Sequence, residues 1–304
     1  SASVFAQTVK SLSSPDGNIR VDVSIDKGIT YDVFCGNEQV LSDCRLSMDI
    51  EGNVLGSLPK LQSVKRQKVN DVKRPFLKLK FAEVPNSYNE MTLVMKGNYS
   101  VVFRAYNDGM AYRFVTSLKG EVEVNHEDIT VFFPEDAQLV LQQSDRYRTS
   151  YEERYSFVKS SEWLSFQKMA HYPVLAITSG GTKILMSESD LCDYPAPFFR
   201  SNDANGFSSV FPRVPAIEKP RTDKSNDILL RKPYIAKTQG TRSFPWRYFV
   251  IAKDEAALLT NTMTCRLAQD SKLEDVSWIH PGQASWERWK GAVPHGPEVN
   301  FKAG

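Results

Sequence analysis

Apolar and polar residues alternate with a period of two along most of the first half of the chain. After the turn Ser14-Pro-Asp-Gly-Asn18, residues Ile19, Val21, Val23 and Ile25 are separated by polar positions, and Ile29, Tyr31 and Val33 continue the pattern beyond Lys27-Gly28. Successive side chains of a strand point to opposite faces, so this spacing predicts strands with one buried face. Gly36-Asn-Glu38 closes a hairpin, and Leu58 to Lys73 is basic and polar, as in a long solvated strand or loop. Phe76, Leu77, Leu79 and Phe81 predict another strand, Asn86-Ser-Tyr-Asn89 a loop, and Met91–Met95 and Tyr99–Tyr106 two strands around Lys96-Gly-Asn98. Asn107-Asp-Gly109 is a strong hairpin signal with Ala111–Val115 as the returning strand. Glu121–Asn125 and Ile129–Phe133 are predicted as two further strands. β-Branched and aromatic residues fill these runs.

The second half is less regular. Residues 144–170 differ, and Ser144–Tyr155 is charged and aromatic at once, which fits either an amphipathic helix or a surface loop with stacking aromatics. Pro173–Thr178 and Lys183–Met186, joined at Gly180-Gly181, predict a hairpin. Asn202–Asp227 is rich in Asn, Asp, Ser, Pro and Lys and reads as the longest loop. Strands resume at Ile235 and at Arg242–Ala252. Asp254–Asn261 is the clearest helix, with acids in its first turn. Frequent short strands with turn signals between them predict an all-β, large antiparallel sandwich with few short helices.

Composition narrows the class. The chain has 304 residues, 41% hydrophobic and 24% charged, with a net charge of +2. That balance points to no nucleic acid partner and no anionic surface. No apolar run approaches a membrane span. The four cysteines are too few for a disulfide scaffold. Cys35 and Cys44 allow a hairpin disulfide, with two buried or free thiols as the favoured reading. Ser1-Ala-Ser-Val-Phe-Ala6 looks like the end of a secretory signal cleaved after Ala6, so residues 1–6 are read as its remnant.

Candidate chemistry centres on Ile184–Tyr194. An apolar run ends there and Glu188, Asp190 and Asp193 follow, before the Pro-broken Tyr194-Pro-Ala-Pro-Phe-Phe199. Carboxylates delivered at a strand end suit an oxygen-ligand site; the same pattern also describes a strand running into a solvated turn. Other chemistries lack their signatures. Glu152, Glu153, Glu162 and Glu188 have no spacing that makes a pair, and His126, His171, His280 and His295 are scattered. No Gly-x-Ser-x-Gly elbow and no phosphate-cradling loop occur. Asn98-Tyr-Ser100 fits a glycosylation sequon but sits at a tight turn.

Five segments, in order, resemble glycoside hydrolase family 97. They are Ser14-Pro-Asp-Gly17, Phe103–Phe114, Ser187-Glu-Ser-Asp-Leu-Cys-Asp-Tyr-Pro195, Phe244-Pro-Trp-Arg247 and Ser277-Trp-Ile-His-Pro-Gly282. The resemblance is to the N-terminal part of that family. It implies a β-super-sandwich of galactose-mutarotase-like type over residues 7–276, and a linker over 277–304 leading into a catalytic (β/α)8 barrel absent from this chain. It implies exported, periplasmic bacterial α-glycosidases that act on an α-linked oligosaccharide or galactoside. It also implies a calcium ion to which this domain gives one glutamate, which maps onto Glu188. Asp190, Asp193 and Tyr194 border that position and read better as turn residues. The segment Ser285–Lys290 looks like the retaining α-galactosidase branch rather than the inverting α-glucosidase branch, although Glu287, Arg288 and Lys290 depart from the common pattern. Both catalytic carboxylates of the family come from the barrel, so the resemblance places no catalytic residue in this chain and implies that it is inactive alone. The alternative is a free-standing carbohydrate-binding or mutarotase-like module. The tryptophans Trp278, Trp286 and Trp289 argue against it, since they look made to meet another domain.

Overall fold

The structure, a computed structural model, describes residues 8–77, 80–222 and 225–283. The strands, in chain order, begin with β1 (Thr8–Ser13), β2 (Ile19–Ile25), β3 (Ile29–Cys35), β4 (Glu38–Ile50), β5 (Asn53–Leu55) and β6 (Leu61–Lys73). They continue with β7 (Val84–Met95), β8 (Tyr99–Tyr106), β9 (Gly109–Phe132), β10 (Gln138–Ser144), β11 (Tyr155–Lys159), β12 (Met169–Ile177) and β13 (Lys183–Ser189). The last are β14 (Phe198–Ser201), β15 (Gly206–Val210), β16 (Pro215–Thr222), β17 (Ser225–Arg231), β18 (Ala236–Ser243) and β19 (Trp246–Ala252), followed by the short helices α1 (Glu255–Leu259) and α2 (Met263–Leu267).

All strands but β16 and β17 join one 17-stranded sheet. Its pairings are antiparallel, as the all-β expectation requires. The sheet folds back on itself, so that alternate residues of facing strands meet in one core. Tyr31 of β3 touches Phe103 of β8, Tyr112 of β9 and Phe249 of β19 across the interior, with ring centroids 6.1, 5.5 and 6.3 Å apart. A smaller cluster on the outer face of β8, β9 and β19 holds Tyr106, Trp246, Tyr248 and Val250, and Met263 and Leu267 of α2 cover it. Among the described residues strand β6 pairs only with β7 and lies at an edge. Its Lys65, Arg66 and Lys68 are exposed, which discourages pairing with another chain.

Strand β9 is the spine. Its first part pairs with β8 and β19, its middle with β18, and its last part with β4 and β15. The two strands expected at 121–125 and 129–133 are therefore one. A bulge against β4 separates the pair Val124–Ile50 from His126–Asp49. Before it Val122 and Val124 face inward; after it Glu127, Ile129 and Val131 do. One extra residue reverses which face each side chain takes.

Several other expectations change. Phe76 and Phe81 are exposed and lie in the loop closing the β6–β7 hairpin, with Leu79 outside the described residues. A strand needs a ladder partner, and Pro75 supplies no N–H for one. Asn86–Asn89 belongs to β7, where Asn86 and Tyr88 are buried, because the ladder to β6 overrides their turn preference. Of the two readings of Ser144–Tyr155 the surface loop is the one found, with residues 145–154 joining β10 to the edge strand β11. The stretch expected as a loop at 202–227 holds β15, β16 and the start of β17, the last two forming a separate arm. The arm buries no side chain, so no alternation announces it. Asp254 caps α1 as expected, accepting from Ala257 N at 2.9 Å. Cys35 and Cys44 are buried free thiols, as favoured, and burial pushes the Cys44 thiol up to about 12.

Candidate functional site

Glu188 lies near the end of β13, with Cα directly opposite Arg247 on β19. Arg247 is the first inward-facing residue after the Phe244-Pro-Trp entry to β19 and is completely buried. Its neighbour Trp246 points to the other face, where Arg104 and Arg113 stack on its ring at 4.5 and 4.2 Å. Glu127 reaches the same guanidinium from the far part of β9. Arg247 donates from Nε to Glu127 Oε1 at 2.9 Å and from Nη2 to Glu127 Oε2 at 2.7 Å. Its remaining nitrogen, Nη1, donates to Glu188 Oε2. This is a two-pronged pair on one side and a single bond on the other.

The two carboxylates differ in exposure. The Glu127 side chain is 3% exposed and that of Glu188 12%. The second oxygen of Glu188, Oε1, makes no hydrogen bond among the described residues. Burial raises the Glu188 pKa, Arg247 lowers it, and Glu127 raises it again, for a net upward displacement. Burial alone would lower the Arg247 pKa; Glu127 and then Glu188 overcome it and push it well up. Two carboxylates and one guanidinium leave one uncompensated negative charge, at the less buried end of the group. Tyr112 and Tyr172 add buried hydroxyls that have no hydrogen-bond partner among the described residues. Tyr172 is buried first, and its pKa is raised further by Glu188 against an opposing pull from Arg247.

The other acids of the segment are engaged elsewhere. Asp190 accepts from Gln269 Nε2 at 3.0 Å and lies 3.6 Å from Arg113 Nη1. Asp193 accepts from Thr238 Oγ1 at 2.8 Å and its backbone carbonyl from Arg242 at 3.1 Å. Tyr194 packs on Phe244 and Phe211, 5.3 and 6.3 Å between centroids. Glu152, Glu153 and Glu162 are exposed and scattered. His171 is buried beside Tyr151 and Phe198, His126 packs on Phe211, His280 is exposed, and His295 lies outside the described residues. Trp278 is exposed; Trp286 and Trp289 fall outside the described residues, as do Ser285–Lys290 and residues 1–6.

Among the described residues no three His, Cys, Asp or Glu side chains gather as a metal cage. A calcium ion takes about six to eight oxygens. The described residues fit as one contributor to such a site: a hard carboxylate oxygen, unpaired, partly open to solvent, on a group carrying net negative charge. Two cavities lie apart from it. One, of about 370 Å³, is lined by Glu38, Phe133, Glu135 and Thr178, and one, of about 690 Å³, by Arg146, Arg148, Lys168 and Arg221.

The sequence signal for Glu127 was hidden by the bulge in β9. Without it, Glu127 would face outward and read as a solvated charge. The motif Phe244–Arg247 was visible, but its arginine carried no stated role.

Comparison with known proteins agrees with this architecture. The family model described as glycosyl-hydrolase 97 N-terminal matches residues 12–269. A retaining alpha-galactosidase of Bacteroides thetaiotaomicron is 32% identical over 301 residues, covering 94% of this chain and 45% of that protein. A protein named probable retaining alpha-galactosidase from Streptomyces bingchenggensis is 25% identical, covering 96% and 42%. A glycoside hydrolase family 97 enzyme from Pseudoalteromonas sp. strain K8, solved with acarbose, superposes with TM-score 0.75 at 21% identity, over 90% of this chain and 40% of that one. A beta-arabinopyranosidase superposes with TM-score 0.68 at 20% identity. The chain spans less than half the length of the curated relatives it matches. With its model matched over residues 12–269, this chain belongs to the glycosyl-hydrolase 97 N-terminal family.

Proposed function

We propose that this chain is the non-catalytic N-terminal part of a calcium-dependent, periplasmic glycoside hydrolase acting as a retaining α-galactosidase. Its sandwich walls the active site, and Glu188 gives one oxygen to the calcium ion. The observation that carries this reading is the free Oε1 of Glu188 on a group with one excess negative charge. Bound there, calcium would supply a fixed positive charge and Lewis-acid polarisation near the reacting bond. The residues of this chain do the holding: Arg247 fixes one oxygen of Glu188, and the Tyr112 and Tyr172 hydroxyls lie close enough to the group to feel its charges.

Glycoside hydrolysis with retention needs two carboxyl groups about 5–5.5 Å apart, one free to attack and one to deliver a proton. The two that converge here share one guanidinium, and Glu127 has both its oxygens held by it, so they do not make such a pair. The preference for α-galactoside over α-glucoside rests on the relative at 32% identity. The test compares the 304 residues alone with the full-length protein on nitrophenyl α-galactoside and α-glucoside, with and without a calcium chelator. The expected result is calcium-dependent turnover of the galactoside by the full-length protein and none by the 304 residues. Turnover by the shorter chain sinks the non-catalytic assignment, and indifference to the chelator sinks the calcium assignment.

A further inference from the structure

We propose that Arg247 and Glu127 are positioning residues that aim the free oxygen of Glu188 at a divalent cation. This rests on the reading of Glu188 as a cation ligand. Three features carry it. First, each of the three nitrogens of the guanidinium donates to one of the two carboxylates. Nε and Nη2 lock onto both oxygens of Glu127, which fixes the plane of the group, and Nη1 then holds Glu188 Oε2 in that plane. With Oε2 held, the direction of Oε1 is set.

Second, the charge balance is wrong for a purely internal ion pair. One carboxylate would neutralise Arg247, and Glu127 already does so through two bonds. A second buried carboxylate adds a net negative charge in a poorly solvated place, which is costly without a partner. That excess sits on Glu188, the more exposed of the two carboxylates. A cation arriving at Oε1 removes the imbalance.

Third, the chain goes out of its way to bring Glu127 in. The bulge between Val124 and His126 turns the phase of β9, and only with that turn does Glu127 face Arg247. The three side chains come from β9, β13 and β19, so the aim of Oε1 is set by the sheet rather than by a loop.

The experiment is a double-mutant cycle in the full-length protein, read as calcium affinity by titration calorimetry, with thermal unfolding followed in parallel. The variants are Glu188→Gln, Arg247→Lys and both together. Groups that orient a metal ligand typically change affinity roughly ten- to a hundredfold when altered. Arg247→Lys is expected to weaken calcium binding by about that factor, and to add little once Glu188 is Gln, because its effect passes through Glu188. A merely structural arginine would shift the unfolding temperature and act on affinity equally in both backgrounds. If Glu188→Gln leaves affinity unchanged, the ligand reading fails. If Glu188→Gln weakens binding while Arg247→Lys does nothing, or acts additively, the positioning inference fails and the ligand reading stands. Should Arg247→Lys not fold, Glu127→Gln takes its place in the same cycle, with the same outcomes deciding.

Discussion

Arg247 shows how far one side chain can govern its surroundings. It is fully buried between two carboxylates, and its removal would leave both without their partner. Arg247→Met is therefore expected to destabilise the domain by about 3–5 kcal/mol, measured by chemical denaturation, even though methionine fills much of the volume. Glu38 presents the opposite case, a carboxylate near the surface with good partners. Burial is the largest single influence and pushes its pKa up, but hydrogen bonds from Thr178, Thr182 and Lys253 together outweigh it and hold the group down from 4.5 to about 2. Thr178 and Thr182 donate at 2.5 Å each and Lys253 at 2.9 Å. The folded pKa lies below the unfolded one, so this stabilisation is fully present above pH 4.5 and is lost as pH falls through about 2. Its side chain is about a quarter exposed, so solvent screening reduces the contribution to about 1 kcal/mol. Glu38→Gln should lose that amount at pH 7, and the gap to the unaltered protein should close between pH 4.5 and about 2 in denaturant titrations. A gap that stays constant with pH would show that the charge of Glu38 is irrelevant.

At the scale of elements, close backbone approach fixes where strands turn. A Cβ on Gly206 would stand 2.0 Å from the carbonyl oxygen of Val131 across the β15–β9 ladder. Gly206→Ala must push β15 away and is expected to cost about 3 kcal/mol, read as a lowered unfolding midpoint. Elements of this kind were legible only in part. The alternating runs of β2 and β3 could be read directly, because one face of each is buried and one is not, whereas β7 was read only from Met91 on, since its buried face changes after Glu90. So could α1, through its Asp254 cap, and the hairpin at Asn107–Gly109. Two physical effects hid the rest. The bulge in β9 broke the period that sequence reading depends on, splitting one strand into two and turning Glu127 from an outward to an inward residue. The arm β16–β17 has no buried face, so its strands resemble a polar loop. The site followed the same rule. Glu188 was visible through its motif, and Arg247 lay in another, but their contact is a matter of register between β13 and β19, which no local pattern encodes.

For the molecule as a whole, one core holds nearly everything except the arm. The sheet is continuous through 17 strands, and its main cluster of buried residues runs from Leu12 to Ile251. The arm stands outside that unit. No side chain of β16 or β17 is buried, Ile217, Leu229 and Leu230 are exposed, and the two strands pair only with each other. Among the described residues its ties to the body include the ion pair Arg148–Asp227 at 3.8 Å and backbone bonds at its base, Lys232 N to Val214 O at 2.8 Å, Val214 N to Tyr234 O at 3.1 Å and Ile235 N to Val124 O at 2.8 Å. An exposed ion pair is worth about 0–1 kcal/mol, and a lone two-stranded hairpin is marginal in water. Replacing residues 215–231 with a short Gly-Ser turn should therefore leave a single cooperative unfolding transition, with stability changed by about 1 kcal/mol or less. The backbone bonds at the base keep Val214 and Ile235 in place and lie outside the replaced stretch. Calorimetry on the altered chain decides the matter. A large drop in midpoint, or a second transition, would mean that the arm is part of the cooperative core despite its exposure.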